Sequence, residues 1–236
     1  MKAKKSSRNL GVDPKKAQKE QSIEEKVMLK SLSGVENLQL SRVFQILCGK
    51  RSAPSPDPQQ SESQEQGEPS PPPENKQYFT AEDLYRILAQ LSFEASKGEI
   101  DLMIWEVDED LDKRVDWNEF ELMYKRCIFD NSGLEPRRLF TLVEFLMFDK
   151  NERNFITIED TLELLYVKST TYKKTDLNEE IKTLFPADQR ELLQMGEEQK
   201  LNFTEYYEKM MAKALNDHIT RQKEKLQVRK YNKEDK

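Results

Sequence analysis

Between residues 96 and 124 an acidic loop separates two apolar patterns that repeat with the period of an α-helix. The carboxylates of this loop stand at positions 1, 3, 5, 9 and 12 of a twelve-residue stretch, residues 108–119. They are Asp108, Asp110, Asp112, Asp116 and Glu119. At this spacing one loop can surround a calcium ion with oxygen ligands, and the backbone carbonyl at position 7, here of Arg114, adds another. The alternative is a solvated acidic turn that joins two helices without an ion.

The two flanks of this loop have the apolar spacing of helices. Ser96 and Glu99 form a capping box that starts the first helix, and Val115 at position 8 is suited to a short strand. Together these features resemble an EF-hand, and the surrounding sequence resembles calmodulin and centrin. The resemblance implies an all-α fold with two lobes, each a pair of helix–loop–helix units joined by short inter-loop strands. It also implies Ca²⁺ as the cofactor, at one site at most.

Position 6 departs from the EF-hand pattern. The motif has glycine there because the backbone turns sharply, whereas this chain has Lys113. A residue with a Cβ costs about 1–2 kcal/mol in the left-handed conformation, so Lys113 weakens the predicted site without abolishing it. The predicted metal ligands are Asp108, Asp110, Asp112, Arg114 (through its carbonyl), Asp116 and Glu119.

A segment rich in proline, serine and glutamate, residues 52–75, interrupts the chain before this loop. It holds seven of the ten prolines and is typical of an extended linker. The helical pattern before it ends at Leu47, so Cys48 takes the place of loop position 1. After it the sequence resumes as the end of an EF-hand loop, with Phe79 at position 8 and Asp83 at position 12.

We therefore predict that residues 38–91 form a first EF-hand whose loop contains an insertion. Removal of these 24 residues leaves 36 residues between the first two loop starts, a normal period for tandem EF-hands. The prediction requires a short antiparallel strand pair between Phe79 and Val115. Two unrelated helices joined by a linker are the alternative, and in either case this loop cannot hold calcium.

A third unit is predicted around residues 149–160, which follow another helical pattern. Asn154 at position 6 tolerates the turn, and Ile156 fills position 8. The ligands are poor, because Arg153 occupies position 5 and Asp160 at position 12 is shorter than the usual glutamate. We expect Arg153 to pair with a neighbouring carboxylate and to supply the missing positive charge itself.

A fourth unit has Leu201 at position 8 and Glu205 at position 12 of a loop that is eight residues too long. We expect Ile156 to pair with Leu201 through a second pair of short strands. The predicted parts of the chain are a basic N-terminal tail with a short helix ending near Gly34 (1–37), a first EF-hand pair (38–128) with the insertion 52–75, a degenerate second pair (129–215) and a basic C-terminal tail (216–236).

Charge is spread unevenly along the 236 residues, whose net charge is −6. Residues 1–51 carry +7 and residues 213–236 carry +4, so the middle of the chain carries −17. An acidic body between two basic arms fits a cation-binding core whose ends contact acidic partners. No apolar run is long enough to span a membrane, and Cys48 and Cys127 form no disulfide framework. We therefore expect a cytoplasmic protein without membrane partners.

The sequence does not favour an enzyme. The single histidine, His218, lies on a polar helix, no glycine-rich phosphate loop is present, and neither cysteine has a neighbouring histidine. Six methionines could line a groove for a target helix, as in calmodulin, but we expect core packing for any single one of them. They are Met103, Met123, Met147, Met195, Met210 and Met211.

These observations predict a non-enzymatic EF-hand protein that acts as a structural adaptor or regulatory component of a larger protein assembly. With its degenerate EF-hands, basic tails and inserted loop, the chain resembles the EF-hand proteins that are built into the axonemes of cilia and flagella. That resemblance implies a cytoskeletal location with tubulin or axonemal proteins as partners. The alternatives are a soluble calmodulin-like calcium sensor that regulates a target protein, and a nucleic-acid-associated protein that uses its basic tails.

Overall fold

The computed structural model describes residues 31–49, 77–130, 135, 138–172, 176–185 and 198–234, the side chains of 225–234 excepted. Within these ranges the chain forms eight α-helices and four strands of two residues each. The strands make two separate antiparallel pairs. The all-α architecture with short inter-loop strands is thus confirmed.

The first two helix–loop–helix units share one strand pair. Phe79 lies opposite Val115 and Tyr78 opposite Asp116, so the predicted pairing between the two position 8 residues is confirmed. The first helix also packs against the helix that follows Phe79, so the chain on both sides of residues 52–75 belongs to one unit. The elements are α1 (Gly34–Leu47), β1 (Tyr78–Phe79), α2 (Ala81–Gln90), α3 (Lys97–Trp105), β2 (Val115–Asp116) and α4 (Trp117–Phe129).

The third and fourth units repeat this arrangement. Ile156 lies opposite Leu201 and Phe155 opposite Asn202, which confirms the second predicted pairing. The residues that lengthen the fourth loop lie outside the described ranges. The elements are α5 (Arg138–Phe148), β3 (Phe155–Ile156), α6 (Ile158–Tyr172), α7 (Leu177–Leu184), β4 (Leu201–Asn202) and α8 (Phe203–Glu234).

Capping boxes explain where several helices begin. The predicted box of Ser96 and Glu99 is present at the start of α3. A second box, of Ser33 and Glu36, starts α1, and it makes Gly34 the first residue of a helix. In this box the Ser33 side chain accepts from the Glu36 N–H, and the Glu36 carboxylate accepts from the Ser33 N–H. Residues 31–33 are not helical, and the short helix predicted before them, ending near Gly34, lies outside the described residues and stays a prediction.

The two lobes are in contact, and their cores form one apolar cluster. Helix α1 of the first lobe packs on α5 of the second. The Phe93 ring, between α2 and α3, lies 5.0 Å from the Phe203 ring of α8 in an edge-on arrangement. The Arg42 guanidinium on α1 donates a hydrogen bond to the Leu146 carbonyl near the end of α5, where the negative end of the helix dipole favours a cation.

Methionines contribute to this core as expected. Met103, Met123 and Met147 are buried, which confirms the core prediction for these three. Met210 and Met211 on α8 are half-buried, and Met195 lies outside the described residues. Among the helices that the structure describes, none combines the length and apolar character that a bilayer span requires.

Candidate metal centre

The loop at 108–119, here loop 2, is shaped by two residues with left-handed backbone conformations. Leu111 has φ 64° and Lys113 has φ 66°. The predicted conflict at position 6 is therefore present, because Lys113 adopts a conformation that favours glycine. The turn reverses the chain so that the carboxylates of the first half of the loop face a common point.

Three carboxylates meet at that point. One oxygen from each of Asp108, Asp110 and Asp112 lies within 4.8 Å of the others. Asp108 is buried, and the other two are exposed. Unscreened carboxylates this close repel one another, and a bound cation removes the repulsion. The donors are hard oxygens, the type that calcium prefers, so the chemistry of this group fits calcium.

Backbone N–H groups hold these carboxylates in place. Asp108 accepts from the N–H of Asp112 at 3.1 Å and from that of Lys113 at 2.9 Å. Asp112 in turn accepts from the N–H of Arg114 at 2.7 Å. The aspartate side chains of the loop therefore preorganise it, because Asp108 and Asp112 each hold backbone N–H groups of residues that follow them.

The second half of the predicted ligand set does not join the group of three. Asp116 is the N-cap of α4 and accepts from the N–H groups of Asn118 and Glu119. The Glu119 carboxylate accepts from the N–H of Asp116 at 3.0 Å and, across the loop, from that of Glu109 at 2.9 Å. Positions 2, 9 and 12 are thereby held together. Partial burial raises the pKa of Glu119, and the negative charges of Asp116 and Asp110 act in the same direction, against the hydrogen bonds from the two N–H groups.

The side chain of Arg114 points toward the first strand. Its guanidinium lies over the Tyr78 ring, 4.4 Å from the ring centre, a cation–π contact. The prediction assigns the Arg114 carbonyl, rather than its side chain, to the ion, and it stays a prediction together with the roles of Asp116 and Glu119.

A cavity of about 500 Å³ opens beside loop 2. The C-terminal half of α1 forms one wall, and the predicted ligands Asp110, Asp112, Asp116 and Glu119 line the other. Trp117 also lines it and packs edge-on against Phe44, with ring centres 5.4 Å apart. Trp105, by contrast, is 66% exposed on α3. Trp117 is therefore the better placed of the two tryptophans to report an event in the loop.

Loop 3, residues 149–160, has the same backbone path as loop 2. Glu152 and Asn154 have φ 51° and 63° at positions 4 and 6. Asp149 accepts from the N–H groups of Arg153 and Asn154, as Asp108 does from the residues at positions 5 and 6 of its own loop. The two loops therefore differ in side-chain chemistry rather than in shape.

An arginine closes loop 3. The Arg153 guanidinium donates to the Asp160 carboxylate at 2.5 Å, so the prediction that Arg153 pairs with a neighbouring carboxylate is confirmed. The Asp160 carboxylate also accepts from the N–H and hydroxyl of Thr157. The positive charge of the Arg153 guanidinium thus pairs with the carboxylate at position 12 of this loop.

A second arginine acts on loop 3 from the other lobe. Burial lowers the pKa of Arg42 on α1, and the negative charges of Glu152 and Asp149 oppose that shift. Burial also raises the pKa of Asp149, while the N–H groups of Arg153 and Asn154 act in the opposite direction. Arg42 could not be identified from the sequence, because residues 107 positions apart show no local pattern that joins them.

The described parts of the first and fourth loops do not show the ligand pattern of loop 2. In the first, Cys48 is buried and Asp83 caps α2 by accepting from the Thr80 N–H at 3.0 Å. In the fourth, Glu205 accepts from the Asn202 N–H at 3.2 Å. Among the described residues, loop 2 alone brings three potential metal ligands together.

Comparison with known proteins identifies part of this architecture. Residues 75–127 match the family model described as an EF-hand domain pair. No curated protein matches the chain. The match ends two residues before the end of α4 and includes the whole of loop 2. It supports assignment of the first lobe to the EF-hand superfamily, and an EF-hand pair with three converging aspartates implies that the chain binds Ca²⁺.

Proposed function

We propose that this chain is a non-enzymatic calcium-binding adaptor that holds other proteins together within a larger assembly. The observation that carries the proposal is the contrast between two loops of the same shape. Loop 2 brings together the carboxylates of Asp108, Asp110 and Asp112, whereas in loop 3 the Arg153 guanidinium forms an ion pair with the Asp160 carboxylate. One lobe is built to take a metal ion, and the other carries its own cation.

The contact between the lobes favours an adaptor over a calmodulin-like sensor. A sensor lobe opens on calcium binding and exposes a methionine-rich groove. Here Phe93 and Arg42 link the lobes at two places, and these links work against such an opening. Two lobes that are linked in this way suit a scaffold of fixed shape, in which calcium stabilises loop 2.

Two measurements on the full chain test this proposal. Isothermal titration calorimetry should show one calcium ion bound per chain. Addition of calcium should leave the fluorescence of an apolar-surface dye almost unchanged. A large calcium-dependent rise in dye fluorescence would instead indicate a sensor, and the absence of heat at millimolar calcium would contradict calcium binding at loop 2.

The proposed place of action is the axoneme of a cilium or flagellum, with tubulin or an axonemal protein as partner. The support for this location is a resemblance: a degenerate EF-hand chain with basic ends and an inserted loop is similar to the EF-hand proteins of axonemes. Tagged full-length chain expressed in ciliated cells should stain the axoneme and resist detergent extraction. Diffuse cytoplasmic staining that detergent removes would contradict the location while leaving the calcium site untouched.

A further inference from the structure

Arg126 joins loop 2 to the connector, residues 130–137, which links the two lobes. It lies on α4 seven residues after Glu119, about two turns of helix, so the two residues are on the same side of α4. The Arg126 Nη1 lies 3.6 Å from a carboxylate oxygen of Glu109, at position 2 of loop 2. Its Nε donates a hydrogen bond of 2.9 Å to the carboxylate of Glu135 in the connector. One guanidinium thus contacts loop 2 and the connector together.

The contact of Arg126 with loop 2 extends to the last predicted ligand. Glu109 donates its backbone N–H to the Glu119 carboxylate at 2.9 Å. Glu109, Glu119 and Arg126 also line one small cavity between the end of α3 and α4. The Arg126 side chain is only 32% exposed, so solvent screens its ion pairs less than it would screen fully exposed ones. A path of four residues therefore runs from position 12 of loop 2 to the connector.

A second arginine ties the other end of this region to the first lobe without involving loop 2. The Arg138 guanidinium, at the start of α5, lies 3.8 Å from the Glu99 carboxylate on α3. Its side chain is 37% exposed, close to the value for Arg126. The ion pair of Arg138 includes no residue of loop 2, whereas one of those of Arg126 does. Arg138 is therefore a matched control for Arg126.

We infer, on the basis of the calcium binding proposed above, that Arg126 is a positioning residue that makes the calcium affinity of loop 2 depend on the connector. With its side chain held by Arg126, Glu109 keeps its N–H on the Glu119 carboxylate, which lines the cavity beside loop 2. Partners of this kind orient a metal ligand before the ion arrives. Because coupling between two sites is reciprocal, calcium at loop 2 also stabilises the connector contact of Arg126.

The charge of Arg126 alone would have the opposite effect on calcium binding. A guanidinium close to a calcium site repels the ion, so its removal would tighten binding if the contact positioned nothing. The surrounding carboxylates would add to that effect, since Glu106, Glu109 and Glu119 line the same small cavity and Glu135 is bonded to the guanidinium. The sign of the change in affinity therefore distinguishes positioning from simple charge.

The test is calcium titration of the full-length chain by isothermal titration calorimetry at constant ionic strength. Arg126→Gln should weaken binding by roughly tenfold. Arg126→Lys keeps the charge but offers one nitrogen in place of a planar fork, so it should weaken binding by a similar factor. Arg138→Gln removes the same charge and should leave the affinity unchanged. Thermal denaturation without calcium shows that each variant is folded.

Two double-mutant cycles test the path residue by residue. Glu109→Gln should weaken binding, and its combination with Arg126→Gln should weaken binding no further. Glu135→Gln should weaken binding by a smaller factor, and this loss should vanish in the Arg126→Gln background. If charge alone acted, the changes would be additive, and Glu109→Gln and Arg126→Gln would offset each other. If Arg126→Gln does not fold, Arg126→Lys takes its place in both cycles.

Three results would overturn the inference. They are unchanged or tighter binding in Arg126→Gln, wild-type affinity in Arg126→Lys, and additive changes in either cycle. Any of them, with calcium binding intact in the wild-type chain, counts against the role of Arg126 and leaves the proposed function standing. Absence of calcium binding in the wild-type chain counts against the proposed function, and the role of Arg126 then fails with it.

Discussion

The Glu119 carboxylate accepts a hydrogen bond from the Glu109 N–H at 2.9 Å, so position 12 of loop 2 is tied to position 2. Glu119→Gln keeps an oxygen that can accept this bond but removes the charge and the bidentate grip on calcium. We expect the substitution to abolish the calcium-dependent change in tryptophan emission, with Trp117 as the main reporter. Asp160→Ala in loop 3 is the control, and it should leave the signal intact. An unchanged titration in Glu119→Gln would show that the ion binds elsewhere.

Lys113→Gly should both stabilise the protein and tighten calcium binding. Lys113 has φ 66°, and relief of that backbone conformation is worth about 1–2 kcal/mol. Because the strained conformation is already present in this structure, the relief should appear mainly in the free energy of unfolding, measured by urea denaturation. Loss of the positive charge beside the ion should appear in the calcium affinity.

A companion variant separates the two effects. Lys113→Asn removes the charge and keeps a residue that tolerates the left-handed conformation, as Asn154 does at the same position of loop 3. If Lys113→Gly and Lys113→Asn have the same calcium affinity, charge is the cause. If wild type binds no calcium and Lys113→Gly does, loop 2 is a former calcium site that has lost its affinity through Lys113.

Arg153→Gln should destabilise the second lobe, because the Asp160 carboxylate loses the guanidinium that lies 2.5 Å away. The pair is partly exposed, so solvent screening limits the expected cost to about 0.5–1 kcal/mol. A double-mutant cycle with Asp160→Asn measures the coupling directly. Additive effects of the two substitutions would show that the ion pair contributes nothing to stability.

Deletion of residues 52–75 should leave the first lobe folded. Its strand pair joins Phe79 to Val115, and shortening a surface loop changes loop-closure entropy by only about 0.6 kcal/mol for each twofold change in length. Thermal denaturation of the deletion variant should show a single cooperative transition near that of the wild type. Loss of cooperativity would show that the segment packs against the lobe.

The capping box of α3 should make a pH-dependent contribution to stability. Hydrogen bonds from the N–H and the hydroxyl of Ser96 lower the pKa of Glu99 below its ordinary value. A carboxylate whose pKa is lower in the folded state stabilises the protein above its unfolded pKa, and this contribution disappears as the pH falls through the folded pKa. The melting temperature of Glu99→Gln should therefore fall below wild type at neutral pH and converge with it once the pH lies below the folded-state pKa of Glu99.

The variant Ser96→Ala tests the origin of that difference. In a Ser96→Ala background, Glu99→Gln should cost less at neutral pH than it does alone, because part of the capping box is already missing. A full loss in both backgrounds would assign the effect to the nearby Arg138, whose guanidinium lies 3.8 Å from the Glu99 carboxylate.

Local patterns in the sequence were sufficient to predict the strand pairs and the pairing of Arg153. Position 8 of an EF-hand loop is identified by its distance from the acidic residues, and an arginine among loop carboxylates has an evident partner. The first unit was predicted from residue 38, four residues after the observed start of α1, because the capping box of Ser33 and Glu36 was not recognised. The contacts of Arg42 and Phe93 with the second lobe could not be predicted, since they depend on how two separate units pack.

The hydrogen bond from Arg42 to the Leu146 carbonyl has a consequence for how the molecule unfolds. If one lobe opened alone, the carboxyl end of α5 would lose its cation, and Arg42 would lose both that carbonyl and the nearby charges of Asp149 and Glu152. Unfolding of either lobe therefore lowers the stability of the other. Amide hydrogens of α1 and α5 should exchange with solvent at matching rates, and calcium added at loop 2 should slow both together.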